Sequence, residues 1–298
     1  AFSSFSPQDM IDFLQSEGLQ TKVERGNRVF PQSDKAMDVV DTLASCMKKL
    51  HVIQLQGRAD ALLFEKETSS VLGITCDNSR KLFADSVILC TGGLSYPQTG
   101  STGDGYRLSQ QAGHSIVPPV PSLVPMTSDA GWCKSLQGLS LKNISIRLLR
   151  EDGKCIYEDF GELLFTHFGI SGPVVLSASA HLPKKSAQRY SVSIDLKPAL
   201  SEQQLDQRLQ RDFAKYSNRD FINALSDLLP RKLIPVIVQR SGIDGQTKIH
   251  QMTREMRRQL VFLIKNFSVP ITGVRPIEEA IITSGGVNVR EVNPKTME

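Results

Sequence analysis

The chain has 298 residues, of which 40% are apolar and 22% charged, and a formal net charge of +4. These are ordinary values for a soluble globular protein, and the length predicts two domains or one domain with a large insertion. The charge is too small to indicate a nucleic-acid-binding protein. No apolar run approaches the roughly 18 residues of a membrane span and no signal segment is recognisable, so we expect a cytoplasmic protein without a membrane partner.

The first third of the chain alternates helices and short strands. Ser6-Pro7-Gln8-Asp9 predicts a capped helix, and apolar residues at helical spacing predict a second helix from about Ser33 to Leu50. Strand-like segments follow near 52–56, 61–66 and 71–76. The continuous apolar run Ser86–Cys90 predicts a strand buried on both faces, as in a parallel sheet, with Cys90 as a packed thiol.

The pattern of apolar and polar residues along the chain changes at the proline cluster that begins at Pro118. Residues 139–196 alternate like antiparallel strands, and residues 201–266 are helical and rich in Lys and Arg, with a capping box predicted at Ser201 and Gln204. A strand-like pattern returns from Phe267. We therefore predict an α/β (α+β overall) chain in which a first domain is interrupted by a β-rich insert with a helical subdomain. The predicted bounds are 1–118 with 267–298 for the first domain, and 119–266 for the insert, β-rich over 119–200 and helical over 201–266.

The segment Ser86–Gly105 carries the chemistry. Thr91-Gly92-Gly93 follows the predicted strand, where open α/β sheets bind ligands, and glycines let a bulky ligand approach the backbone. The run Gly100–Gly105 leads into a helix whose N-terminus suits an anion. Tight turns around a packed strand–helix unit are the simpler alternative. A dinucleotide fingerprint is excluded, because Leu108 stands where its third glycine is needed.

These residues also support a resemblance. Val87–Gly93, Tyr96, Thr102–Gly105 and Ala112-Gly113 resemble flavoproteins related to succinate dehydrogenase and fumarate reductase. The whole chain is more similar to bacterial NAD(P)/FAD-dependent oxidoreductases that include reductases of bile-acid intermediates. The blocks that carry this similarity stand in order at Val23–Pro31, Thr91–Gly105, Phe165–Pro173 and Thr283–Val287.

The resemblance implies an incomplete Rossmann-like FAD-binding domain, interrupted by a β-barrel-like insert with a helical subdomain, that accepts hydride from NAD(P)H. It places cofactor-binding residues at Ala59, Thr91, Gly92, Gly93, Arg28, Pro31, Ser33, Gly285, Gly286 and Val287. In such proteins a strand–G-x-G-x-x-G–helix unit holds the pyrophosphate, and these 298 residues contain no such pattern. We therefore expect a chain truncated at both ends that retains FAD weakly.

Two residues are candidates for a catalytic proton donor. His167 lies in the block Phe165–Pro173, and its side chain titrates near neutral pH. Tyr96 follows the glycine pair. A purely structural role is open for both: His167 could fix the insert by a hydrogen bond, and Tyr96 could line the sheet edge. The histidines and cysteines share no metal-ligand spacing, so no metal is expected.

The sequence thus leads to a flavin-dependent oxidoreductase that passes hydride from NAD(P)H through FAD to a small organic acceptor, with an activated C=C bond as one option. The alternative is a non-catalytic module, without FAD, whose insert docks a protein or RNA. The basic residues around Arg254 and Arg258 lie on one face of a helix whose other face is apolar, so nucleic acid is the less favoured partner.

Overall fold

The computed structural model describes residues 4–24, 26–68, 70–77, 80–183 and 189–297, so Arg25 of the first motif block lies outside the described residues. The chain divides into two compact units. Unit 1 comprises residues 1–89, 106–115 and 287–298, and unit 2 comprises residues 90–105 and 116–286. The predicted domain bounds at 118/119 and 266/267 stay predictions.

Unit 1 is built from helices and two small antiparallel sheets. Its helices are α1 (Pro7–Ser16) and α2 (Ala36–Lys49), with most of α3 (Asp104–Gln111). Its strands are β1 (Thr21–Glu24) paired with β2 (Arg28–Pro31), and β3 (Ala59–Phe64), β4 (Val71–Cys76) and β5 (Arg80–Phe83) in that order.

The predicted start of α1 is confirmed in atomic detail. The Ser6 hydroxyl accepts a hydrogen bond from the Asp9 amide, and the Asp9 carboxylate accepts one from the Ser6 amide. This capping box satisfies two of the amides that a helix start leaves free. The second predicted helix is also present, as α2.

Unit 2 contains a seven-stranded antiparallel sheet in the order β12-β11-β8-β9-β10-β7-β13. In chain order the strands of this unit are β6 (Ile116–Ser122), β7 (Met126–Thr127), β8 (Ser140–Arg150), β9 (Cys155–Thr166), β10 (Gly169–Ser171), β11 (Tyr190–Asp195), β12 (Phe267–Ile271), β13 (Gly273–Val274) and β14 (Ile282–Val287). The two outer strands, β12 and β13, are separated by Thr272 alone, so the sheet curls round like a barrel.

The α-helices described in unit 2 are α4 (Gly131–Ser135), α5 (Pro173–Ser179), α6 (Glu202–Lys215), α7 (Phe221–Ala224), α8 (Ile234–Ser241) and α9 (Arg254–Lys265). The predicted capping box at Ser201 is present, with Gln204 as its partner. Leu205 and Leu209 of α6 and Leu260 and Ile264 of α9 are buried in one core with the sheet. The antiparallel strands, the helical stretch and the α/β class predicted from sequence are therefore confirmed.

The segment before Thr91 departs from the prediction. Ser86–Cys90 forms no strand, Ile88 is 85% exposed, and the Cys90 thiol is exposed instead of packed. A continuous apolar run becomes a buried strand only when neighbouring strands accept and donate its hydrogen bonds. No strand among the described residues pairs with this run, so it is extended and exposed. The strand predicted near 52–56 is likewise absent from the described structure.

None of the described helices is long and apolar enough to cross a membrane. No group of three or more His, Cys, Asp or Glu side chains in the described ranges is arranged to hold a metal ion.

Candidate functional site

The glycine-rich loop 90–105 is fastened to β14 through one side chain. The Thr283 hydroxyl oxygen accepts hydrogen bonds from the amides of Leu94 (2.8 Å) and Ser95 (3.1 Å), and it lies 3.0 Å from the Ser95 hydroxyl. Both amides belong to irregular backbone without a sheet partner of its own, so Thr283 supplies the hydrogen bonds that a neighbouring strand would otherwise give.

The backbone around Gly92 is compact. Gly92 has φ of +69°, a left-handed conformation that favours glycine, and a Cβ there would lie 2.6 Å from the Ser101 hydroxyl oxygen. A Cβ at Gly105 would likewise collide with the Thr91 hydroxyl oxygen, so Thr91 packs closely against Gly105. Both ends of the loop are therefore close together. Thr91 and Gly92 themselves are exposed, so their backbone is accessible to a ligand.

The second glycine pair lies two residues after Thr283. Gly285 has φ of +101°, and a Cβ there would lie 2.7 Å from the Pro118 carbonyl oxygen of the paired strand β6. Gly286 has φ of +105°. The structure thus brings Thr91, Gly92 and Gly93 into the same part of unit 2 as Gly285 and Gly286, which are almost 200 residues away in sequence.

The two candidate proton donors lie beside one segment. The Tyr96 amide donates to the Glu278 carbonyl (3.2 Å), and the Tyr96 side chain is 40% exposed. His167 is exposed at the turn between β9 and β10, with its ring edge-on to Phe168 at 5.0 Å. The hydrogen-bonded Arg275 guanidinium, and to a smaller extent His167, lower the pKa of Glu279.

The Arg275 guanidinium also lies over the Phe168 ring at 4.7 Å. Arg275, Glu278 and Glu279 therefore lie beside the candidate donors, although they were not among the predicted site residues. A charged pair at (i, i+4) spacing, Arg275 and Glu279, was the available indication.

The other predicted cofactor residues are in unit 1 or at its edge. Ala59 begins β3, and its carbonyl accepts from the Arg107 guanidinium at 3.1 Å. Arg28 and Pro31 are the ends of β2, and the Ser33 hydroxyl donates to the Asp38 carboxylate at 2.5 Å. Val287 is the last residue of β14. Their part in a cofactor site stays a prediction.

The start of α3 is a poorer anion site than its glycines indicate. Asp104 is the first residue of the helix, and its carboxylate accepts a hydrogen bond from the Thr102 hydroxyl at 3.0 Å. A carboxylate at a helix N-terminus already provides the negative charge that the helix dipole favours. A phosphate placed there would be repelled by Asp104.

Comparison with known proteins identifies the family. Residues 120–282 match the model of the HI0933-like protein barrel and H2TH domain. The chain is 29% identical over 99% of its length to a 3-dehydro-bile acid delta(4,6)-reductase of Clostridium scindens, of which it covers 71%. It is 28% and 30% identical over its whole length to ribosomal RNA dihydrouridine synthases of Escherichia coli and Haemophilus influenzae, again covering 71% of each.

The matched range contains the curled sheet and all helices from α4 to α9, and the relatives extend the similarity across both units. The chain therefore belongs to the HI0933-like family of flavoproteins.

Proposed function

We propose that the protein is a flavin-dependent oxidoreductase that adds hydride and a proton across an activated C=C bond, with NAD(P)H as the source of hydride and FAD as the carrier. The observation that carries the proposal is the chemistry shared by the relatives' names. A delta(4,6)-reductase reduces carbon–carbon double bonds, and dihydrouridine is uridine with one such bond reduced. The two acceptors differ greatly in shape, but the bond change is the same.

The loop 90–105 and β14 fit one side of a flavin site. Gly92 and Gly285 expose backbone without Cβ atoms, whereas Gly286 is buried, and Thr283 fixes the loop against the strand. When bound, FAD supplies the hydride transfer, while the protein positions its ring against the acceptor and limits competing reactions. We assign Thr91, Gly92 and Gly285 to contacts with the flavin dinucleotide.

The remaining step is a proton transfer. When hydride adds to one carbon of an activated double bond, the neighbouring carbon gains negative charge and requires a proton. His167 and Tyr96 are exposed side chains beside the 275–279 segment that can donate a proton. We favour His167 as the donor, because histidine is the side chain that most often transfers protons in catalysis and because its ring is exposed beside the 275–279 segment.

The residues assigned above provide no binding site for the pyrophosphate of FAD. The 298 residues contain no G-x-G-x-x-G run, and Asp104 occupies the glycine-rich start of α3. We therefore expect this chain to bind FAD weakly, with contacts to the ring and the nearer part of the dinucleotide only.

Anaerobic turnover tests the proposal. The protein is supplied with excess FAD, NADH or NADPH, and either a conjugated steroid ketone or a uridine-containing RNA, and the product is analysed by mass spectrometry. We expect one acceptor to gain two hydrogens, His167→Gln to slow that gain at least 10-fold, and His181→Gln, its matched control, to have no effect. Nicotinamide oxidation without reduction of either acceptor would contradict the proposal.

The alternative is a module that does not bind FAD and docks a partner through the barrel and helices. It predicts that FAD neither stabilises the chain nor is reduced in its presence. The same protein preparation therefore discriminates between the two functions.

A further inference from the structure

A cavity of about 680 Å³ lies among the helices of unit 2, and no residue of the glycine-rich loop lines it. We call it the basic groove. Three cationic side chains line it, together with two amides and a hydroxyl: Arg219, Arg231, Lys248, Asn218, Asn223 and Ser226. Ile222, Ile234, Pro235 and the acidic residue Asp220 complete its walls. The groove is open to solvent, so it suits an extended ligand better than an enclosed small molecule.

The backbone holds the cations in place. The Phe221 amide donates to the Thr247 carbonyl (2.9 Å), and the Ile249 amide donates to the Arg219 carbonyl (3.0 Å). These bonds join the segment around Arg219 to the segment around Lys248. Phe221 and Ile249 are also buried in the core of unit 2. The backbone positions of Arg219 and Lys248 are therefore fixed before any ligand arrives, which lowers the entropic cost of binding.

The groove keeps an excess of positive charge. Lys248 forms an ion pair with Asp220 at 2.8 Å. Within the described ranges neither Arg219 nor Arg231 has an ion-pair partner, and the Arg219 guanidinium lies over the Tyr216 ring at 4.1 Å. Of the three cationic side chains only Lys248 is paired with a carboxylate of the described residues, so the guanidinium groups of Arg219 and Arg231 are available to bind an anion. Guanidinium binds phosphate oxygens in a bidentate fashion, and it also stacks on planar rings.

We propose that the basic groove binds the phosphodiester backbone of a structured RNA, and that the acceptor reduced at the flavin is a base of that RNA. The inference rests on the proposed function, since it names the substrate class of the same reaction. Phosphate contacts position a nucleic acid without reading its sequence, so a groove separate from the reacting atoms is the expected arrangement. Two relatives carry the name ribosomal RNA dihydrouridine synthase.

The basic residues of the groove are different from those that sequence periodicity indicates. Sequence periodicity drew attention to Arg254 and Arg258 on α9, whose exposed face is an ordinary solvated one. The residues of the groove are distributed over three short segments, at 218–226, 231–235 and 248, and they share no periodicity.

RNA binding by the full chain tests the proposal. Fluorescence anisotropy with a labelled ribosomal RNA hairpin is measured at several salt concentrations for the wild type, for R219A/R231A, and for R254A/R258A as the matched control. All four arginines lack ion pairs in the described structure, and thermal unfolding verifies that each variant folds. We expect R219A/R231A to weaken binding at least 10-fold and to reduce the salt slope by about 1 to 2. The control should stay within about twofold of wild type.

Equal loss in both double variants, or no RNA binding by the wild type, would overturn the proposal. Displacement of the RNA by polyglutamate at equal charge would also overturn it, and would indicate an acidic protein partner. The binding assay contains neither FAD nor nicotinamide. Its failure therefore leaves the flavin proposal standing, and a failure to bind FAD leaves the RNA result intact.

Discussion

The two units differ in how completely their apolar side chains are covered. In unit 2 a connected buried core extends from Met126 to Val269 and includes residues of the sheet and of helices α4 to α9. In unit 1, by contrast, the buried apolar side chains are few: Leu14, Leu19, Cys46, Leu62, Cys76 and Leu108. On α2, Met37 is 60% exposed and Val40 is 53% exposed.

The difference shows what an apolar pattern specifies. Helix α2 and the pair α6 and α9 all have an apolar face at helical spacing. For α6 and α9 the chain supplies the surfaces that cover that face, and for α2 the described residues leave part of it open. Periodicity therefore predicts that a helix has a face to bury, but not which surface buries it.

The largest contrast is expected for a core substitution. Phe165 is fully buried and lies edge-on to Trp132 with ring centroids 6.2 Å apart, while Phe83 of unit 1 is 72% exposed. Phe165→Ala leaves a cavity and should lower the free energy of unfolding of unit 2 by about 3–5 kcal/mol. Phe83→Ala should change stability by less than about 0.5 kcal/mol. Chemical denaturation measures both, and equal effects would contradict the contrast.

Thiol reactivity gives a second contrast. Burial raises the pKa of the Cys133 thiol to about 11, whereas the Cys90 thiol is exposed. The thiolate is the reactive form, so at pH 8 Cys90 should react with a disulfide reagent at least 100-fold faster than Cys133. Mass spectrometry of the labelled peptides checks this. Comparable rates would show that the Cys133 region opens easily, and slow labelling of Cys90 would show that its segment is covered.

The two capping boxes permit the same substitution in each unit. Ser201→Ala removes the cap of α6 and should cost about 1 kcal/mol in the unfolding of unit 2. Ser6→Ala should cost a similar amount, but only in the opening of α1. Hydrogen exchange distinguishes the two substitutions. Ser201→Ala should accelerate amide exchange across the core of unit 2, whereas Ser6→Ala should accelerate it only near residues 7–16. A global effect of Ser6→Ala would mean that both units unfold together.

The smallest effect on stability is expected for the loss of an ion pair in unit 2, and it should depend on pH. The Arg257 guanidinium donates to the Asp206 carboxylate at 2.5 Å and lowers its pKa. A lowered pKa in the folded state stabilises the protein above the unfolded value near 4, and this contribution disappears as the pH falls through the folded value. Asp206→Asn should therefore cost about 0.5 kcal/mol at pH 7 and nothing near pH 2. A cost that is independent of pH would exclude the ion pair as its origin.

Sequence reasoning was most successful where the signal is local. The capping boxes at Ser6 and Ser201 and the alternating strands that became β8, β9 and β11 depend on neighbours within one element. It was wrong for Ser86–Cys90, because a buried strand requires partners that a single run of residues does not specify.

The candidate site shows the same limit. The glycines were recognisable as motif positions, but the hydrogen bonds from Leu94 and Ser95 to Thr283 join residues about 190 positions apart. The contact of Tyr96 with Glu278 and the basic groove around Arg219 are equally non-local. Only the folded chain brings such residues together.

FAD binding tests the central claim most directly. Thermal unfolding is followed with and without about 1 mM FAD for the wild type, for Thr283→Val, and for Thr272→Val, a control whose hydroxyl contacts Thr127 in the curled sheet. With a Kd of about 0.1 mM, FAD would add about 1.4 kcal/mol of stability. We predict this stabilisation for the wild type and the control, and its loss in Thr283→Val. No stabilisation of the wild type, or the same stabilisation in Thr283→Val, would contradict the assignment of loop 90–105 and β14 to a flavin site.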